Sequence, residues 1–261
     1  MGIPLEVIME KFVGFGFNGI DIPADVEHYP VAKIQPVIES FRDKICIPEI
    51  TACINPSRDL THPRKANRRK AMEYIKLCID TAVALNVPST HLCFISTPEL
   101  LAREPRPRLE DHAVASLRTC MKYAQDCGVR LLLEPLFKGD NTIINRCDQA
   151  VALLSRALNI SPPELLTMRK ECGLLCDLFH MHHEEPDFLE AIRTYAPIIG
   201  HVHVADHIRG LDFTRPDSLF VMQGIAELRT RGYEGFISFE SFDASVNFET
   251  LRRALEVLKT Y

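Results

Sequence analysis

Four acid or imidazole side chains close apolar runs in this 261-residue chain. Glu134 ends Leu-Leu-Leu-Glu-Pro, Asp177 lies in Leu-Leu-Cys-Asp-Leu-Phe-His, His203 in His-Val-His-Val-Ala-Asp, and Glu240 in Phe-Ile-Ser-Phe-Glu-Ser-Phe. A charge at the end of a buried strand is costly unless it is paired or holds a metal. One such acid is usually a helix cap or a loop ion pair, but four in consecutive strand and helix units point to a shared site. Three carboxylates and one imidazole form a hard, oxygen-rich set that suits Mn2+, Mg2+ or Co2+ better than a thiolate-seeking metal. An octahedral ion with four protein ligands keeps two positions for a sugar carbonyl and the hydroxyl beside it. It then acts as a Lewis acid on the enediolate left by proton removal. A carboxylate on each side can move the proton.

Further polar residues surround these four. His201 and His203 are two apart on an expected strand and point the same way, so His201 either supports a ligand or packs in the core. His180 follows Asp177 by three residues and Arg209 follows His203 by six, and both are placed to hold substrate oxygens. A solvated loop charge is the competing reading of Arg209. His182, His183, Glu184 and Glu185 have the composition of a metal cluster, but neighbours in a loop usually face solvent, and they are not counted as ligands. The nine Cys are an odd number scattered through apolar runs, which points to a reducing cytoplasm. Cys172 and Cys176 read as core packing in a buried strand.

The elements that must position these groups alternate along the chain. Helical periods are expected over Leu5–Val13, Val31–Asp43, Arg64–Leu85, Leu109–Asp126, Asp148–Leu158, Phe188–Tyr195, Leu219–Arg231 and Phe248–Leu258. Strand-length apolar runs lie between them at Gly19–Ile22, Ile50–Ile54, His91–Ile95, Val129–Glu134, Gly173–Phe179, Ile198–Ala205 and Phe236–Phe242. Residues Ser161–Lys170 read as a small insertion. Such alternation predicts βα units around a parallel sheet, in one domain over residues 1–261 with no break in composition.

Composition narrows the function classes. Hydrophobic residues make up 46% and charged residues 25%, an ordinary globular usage that excludes disorder as the dominant state. Thirty Lys plus Arg against thirty-five Asp plus Glu give a net charge of −5, so no general positive field favours nucleic acid. No apolar run approaches the roughly 18 residues of a membrane helix, and a cytoplasmic location without membrane contact is expected.

The segments Gly-Phe-Asn-Gly-Ile-Asp-Ile, Leu-Glu-Pro-Leu, Asp-Leu-Phe-His-Met-His-His-Glu-Glu, Gly-His-Val-His-Val-Ala-Asp-His-Ile-Arg and Ser-Phe-Glu-Ser-Phe resemble the xylose isomerase-like TIM barrels of AP endonuclease family 2. Within that superfamily the chain is most similar to ketose 3-epimerases acting on tagatose or psicose. The resemblance implies that Glu134, Asp177, His203 and Glu240 bind one divalent ion, Mn2+ before Mg2+ or Co2+. It implies that Glu134 and Glu240 exchange the proton at C3 from opposite faces of the sugar, with His180 and Arg209 on the C1 and C2 oxygens. Asp140 stands where such epimerases carry a substrate-holding Glu, and Gly210–Ser218 replaces a Gly-x-Gly loop. Inosose and dehydroshikimate dehydratases and C-glycoside-cleaving subunits share the ligand set and the first proton removal, so a lyase acting on a keto-polyol is an alternative. A non-catalytic sugar-binding barrel is another. The trinuclear zinc site of AP endonuclease itself needs more histidines on other strands.

Family barrels open with a strand, whereas Met1-Gly2-Ile3-Pro4 precedes the first helix here. Four residues with a Pro cannot span a barrel at about 3.3 Å each. The expected fold is therefore a TIM (β/α)8-type barrel lacking its first strand, with Gly19–Ile22 and Phe236–Phe242 flanking a gap. Open strand edges need cover, and a homo-oligomer is expected.

Overall fold

Each strand of the sheet hands the chain to a helix that returns it to the start of the next strand. The computed structural model describes residues 3–25, 27–168 and 172–260. The chain runs through α1 (Leu5–Phe15), β1 (Ile22–Pro23), α2 (Val31–Phe41), β2 (Ile50–Thr51), α3 (Lys65–Leu85), β3 (Ser89–Leu92), α4 (Pro98–Arg103), α5 (Arg106–Asp126) and β4 (Arg130–Leu133). It continues through α6 (Cys147–Leu158), α7 (Pro162–Leu165), β5 (Cys172–Asp177), α8 (Leu178–Glu184), α9 (Phe188–Tyr195), β6 (Ile199–Val204), α10 (Leu219–Thr230), β7 (Ile237–Phe239) and α11 (Phe248–Lys259).

Local signals set the boundaries. Gly16 adopts φ +85° and ends α1 in a left-handed cap, with Phe17 N donating to Phe12 O. Asn86 and Asn159 end α3 and α6 in the same conformation. The expected insertion after Ser161 holds a helical turn closed by a capping box between Ser161 and Glu164, and its residues 169–171 lie outside the described ones. Two elements go beyond the sequence reading. Thr97 followed by Pro98 caps and starts α4, and Asp177 caps α8, so His182 and His183 sit on a helix rather than a loop.

Among the described residues the sheet is parallel, has seven strands ordered β1 to β7 in sequence, and has the βα architecture of a TIM barrel, with no strand before α1. Strands β3 and β5 are wholly buried, with Leu131, Leu133, Leu174, Val202 and Val204 in one continuous core with the helices. Cys172 and Cys176 are buried in β5, as expected of core residues. The ladder is shorter at its ends than the apolar runs suggested, covering Ile237–Phe239 and Ile22–Pro23 plus an isolated Gly19–Cys46 bridge. No strand pairing joins β7 to β1 among the described residues. Only side chains cross there. His201 Nε2 lies 3.0 Å from Asp21 Oδ2 and 3.1 Å from Ser238 Oγ. Outside the sheet, Lys259 Nζ donates to Gly16 O at 3.2 Å and Phe15 meets Phe248, so α1 and α11 are neighbours although their strands are not. No described helix is long and apolar enough to cross a membrane.

Candidate functional site

The ladder delivers the acids to one end of the sheet. Asp177 and His203 are paired neighbours in β5 and β6, and His203 is level with Ser238 in β7. Glu134 N donates to Leu92 O and Glu240 N to Val204 O, so both glutamates extend the ladder one residue beyond their strands. At the C-terminal ends of parallel strands these residues meet the mouth of the barrel. Glu134 and Asp177 are 4% and 1% exposed.

One atom each of Glu134, Asp177, His180 and Glu240 lies within 4.8 Å of the other three. His180 joins them because α8 starts directly at Asp177 and its first turn folds the ring back over the strand ends. His180 Nε2 is 3.6 Å from Asp177 Oδ2 and 3.9 Å from Glu134 Oε1. Phe137 N donates to its Nδ1 at 2.9 Å, and Arg209 Nη1 lies 3.0 Å from its Nε2. Burial and the Arg209 charge push the imidazole down to about 3, so it is neutral. His203 faces both ways: Nδ1 lies 3.5 Å from Glu240 Oε1, while Nε2 lies 3.7 Å from Glu49 Oε2 and 3.8 Å from Asp21 Oδ2.

Arg209 reaches inward and is not a solvated loop charge. Its side chain is 16% exposed, with Nη2 at 2.7 Å from Glu240 Oε2 and 3.8 Å from Asp177 Oδ2. The guanidinium carbon lies 4.8 Å from the centre of Phe179 and 4.5 Å from that of Phe242. Its backbone takes φ +62°, held by a loop in which buried Asp206 accepts from the amides of Ile208, Gly210 and Asp212. Asp140 stands at the rim, its side chain 42% exposed and Oδ2 at 3.8 Å from His180 Nδ1. His182 stacks on Phe220 and His183 on His207, and neither belongs to a ligand group among the described residues.

Three residues that the sequence reading did not single out as site residues lie beneath this cluster. Glu49 is fully buried, its Oε1 at 3.2 Å from His91 Nδ1, and neither of its oxygens makes a hydrogen bond. His91 Nε2 in turn lies 3.8 Å from Glu134 Oε2. Asp21 Oδ2 lies 3.0 Å from His201 Nε2, and one atom each of Asp21, Glu49, His201 and His203 lies within 4.8 Å of the other three, so the structure groups His203 with these residues rather than with Glu134, Asp177 and Glu240. A signal existed for Glu49 and His91, since Glu49 directly precedes and His91 opens an expected strand, where an ionisable side chain needs a partner if buried.

The electrostatics set the carboxyls apart. Burial, then the Glu240 charge, pushes Glu134 up to about 8 and Asp177 up to about 6. Burial acts the same way on Glu240, but the charges of His203 and Arg209 outweigh it and hold Glu240 at about 2. Asp177 Oδ1 accepts from Phe179 N, while its buried Oδ2 has no hydrogen-bond partner. Three converging carboxyls and the orphaned buried Oδ2 of Asp177 fit a divalent cation.

The family described as xylose isomerase-like TIM barrel matches residues 10–261. D-psicose 3-epimerase of Agrobacterium fabrum is 25% identical over 206 residues, 77% of this chain and 67% of that protein. The 3-dehydro-D-guloside 4-epimerase of Escherichia coli is 26% identical over 252 residues, 90% of this chain and 87% of that one. Among solved structures, D-psicose 3-epimerase of Clostridium cellulolyticum with D-tagatose superposes at a TM-score of 0.80 and 18% identity, covering 99% of this chain and 94% of the other.

Proposed function

The chain belongs to the xylose isomerase-like TIM barrel family, and on that premise we propose that it is a divalent-metal-dependent ketose 3-epimerase. The observation that carries this reading is the convergence of Glu134, Asp177, His180 and Glu240 at the mouth of the barrel, with Arg209 against them and His203 Nδ1 3.5 Å from Glu240 Oε1. Glu134, Asp177, Glu240 and the Nδ1 of His203 are the residues that would hold the ion, with Mn2+ ahead of Mg2+ or Co2+. When bound, the ion supplies Lewis-acid polarisation of the sugar carbonyl and its neighbouring hydroxyl.

The chain's own groups do the rest. Glu240, kept ionised by His203 and Arg209, takes the C3 proton from one face of the ketose. Glu134 returns a proton to the other face of the enediolate and inverts the centre. His180 and Arg209, whose Nε2 and Nη1 are 3.0 Å apart, hold neighbouring substrate oxygens. Asp140 lies at the rim, where the far hydroxyls of the sugar would enter. The E. coli and A. fabrum relatives are named for epimerisation at different carbons, and both chemistries begin with a proton beside a carbonyl.

The test is incubation of Mn2+-loaded protein with D-psicose, D-tagatose and D-fructose in D2O, read by NMR, chromatography and mass. Epimerisation conserves mass and places deuterium at C3. A product lighter by one water assigns a lyase instead, and no exchange at C3 with Mn2+, Co2+ or Mg2+ defeats the reading.

A further inference from the structure

We infer that Asp21, Glu49, His201 and His203 form a second divalent-cation site, buried in the barrel beneath the first cluster and matched to Zn2+. Strand register brings the four together. Asp21 and Glu49 directly precede Ile22 and Ile50, which are paired neighbours in β1 and β2, so the two acids stand level on one face. His201 and His203, two apart in β6, share a face as well. Both faces turn into the barrel, where one ligand atom from each residue lies within 4.8 Å of the other three.

The spacing is that of a metal cage rather than of a hydrogen-bond network. His203 Nε2 lies 3.7 Å from Glu49 Oε2 and 3.8 Å from Asp21 Oδ2, both too long for a hydrogen bond. Around a tetrahedral ion with bonds of about 2.0 to 2.1 Å, neighbouring ligand atoms stand about 3.3 Å apart. The 3.0 Å contact of His201 Nε2 with Asp21 Oδ2 falls just inside that edge and the two His203 contacts just outside it. A second observation is independent of spacing. Glu49 is fully buried, neither of its oxygens makes a hydrogen bond, and Asp21 Oδ1 is buried without a partner too. Neither acid pairs with Lys or Arg among the described residues. Buried carboxylates in that state are costly unless a cation meets them.

Two imidazole nitrogens and two carboxylate oxygens, with no thiolate, are a four-donor set for Zn2+, and a closed set of four marks a structural ion rather than a catalytic one. His91 Nδ1, 3.2 Å from Glu49 Oε1, supports the set from behind, and Ser238 Oγ stands beside it at 3.1 Å from His201 Nε2. His203 also reaches the upper cluster through Nδ1, 3.5 Å from Glu240 Oε1. With both clusters filled, its ring releases the N–H proton to solvent and bridges the two ions. A proton on His91 or His203 is the rival partner of Glu49, and the two occupants differ in metal stoichiometry.

The inference stands apart from the epimerase reading, and the experiment separates them. Tag-free protein is isolated without chelator from medium carrying Zn2+ or Co2+, so that ions are taken up with folding. Metal content is read by plasma mass spectrometry and the Co2+ form by visible absorption, which is strong for tetrahedral and weak for octahedral Co2+. The unmodified chain should hold two ions, one of them tetrahedral. Asp21→Asn should lose one ion together with the tetrahedral absorption, whereas Asp177→Asn, which removes a ligand of the upper cluster, should keep both the absorption and one ion. One ion kept in Asp177→Asn and lost in Asp21→Asn upholds the buried site and counts against the upper cluster alone. No bound ion, a single ion lost in Asp177→Asn, or two ions kept in Asp21→Asn overturns the inference. Where a variant does not fold, the unmodified chain still decides, since fewer than two ions without tetrahedral absorption overturns it as well.

Discussion

The guanidinium of Arg209 lies 2.7 Å from a carboxylate oxygen of Glu240, although 30 residues separate them in the chain. That contact helps keep Glu240 ionised and gives a loop residue a place in the site. Arg209→Ala should lower kcat/KM by about 10- to 100-fold, the scale of a lost charge-assisted hydrogen bond. It should also raise KM and shift the acid limb of the pH–rate profile upward, because Glu240 loses a cation that holds it at about 2. Steady-state kinetics across pH check this, and an unchanged profile would return Arg209 to a surface role.

Replacing either proposed proton carrier should leave the fold and stop the chemistry. Glu240→Gln and Glu134→Gln should each reduce kcat by about 100- to 10,000-fold, the usual contribution of a general acid or base. Circular dichroism and exchange of the C3 hydrogen into solvent check this. A near-normal rate in either variant removes that residue from the mechanism.

Glu49 has both oxygens buried and facing the histidines His91 and His203. It is placed to orient the ring whose other nitrogen faces Glu240. Glu49→Gln should weaken Mn2+ binding by about 10- to 100-fold, as loss of a carboxylate behind a ligating histidine does. Calorimetric titration of metal-stripped protein measures this directly.

Stability should depend on pH in a sense opposite to the usual carboxylate pattern. Glu134 is held at about 8 in the folded metal-free protein and has an ordinary value of 4.5. Between those values the folded state keeps a proton that the unfolded state has released, so stability falls as pH rises through this window. Glu240, held at about 2, contributes stability that is present above its ordinary value and lost as pH falls toward 2. A divalent ion must displace the Glu134 proton, so its affinity should rise with pH over the same window, with proton release. Melting curves with chelator from pH 5 to 8.5 test this, and a melting temperature that climbs throughout contradicts it.

The sequence alone determined the elements and the residues that end them. Local chemistry is enough for that: Gly16 has the freedom to end a helix, an apolar run of four to six residues can only be a buried strand when helices flank it, and an acid at its end has to face something. Glu134, Asp177 and Glu240 were legible as strand-end acids on those grounds, as was an open sheet with β1 and β7 at its edges among the described residues. Tertiary structure decided what faces what. His180 stands with the three acids because a capped helix starts at Asp177, and His203 turns its second nitrogen to Glu49 and Asp21 because strand register stacks them in the barrel. Glu49 and His91 carry no motif. Their meaning comes from burial beside ionisable partners brought together from distant parts of the chain, and a linear sequence does not encode such distances one residue at a time.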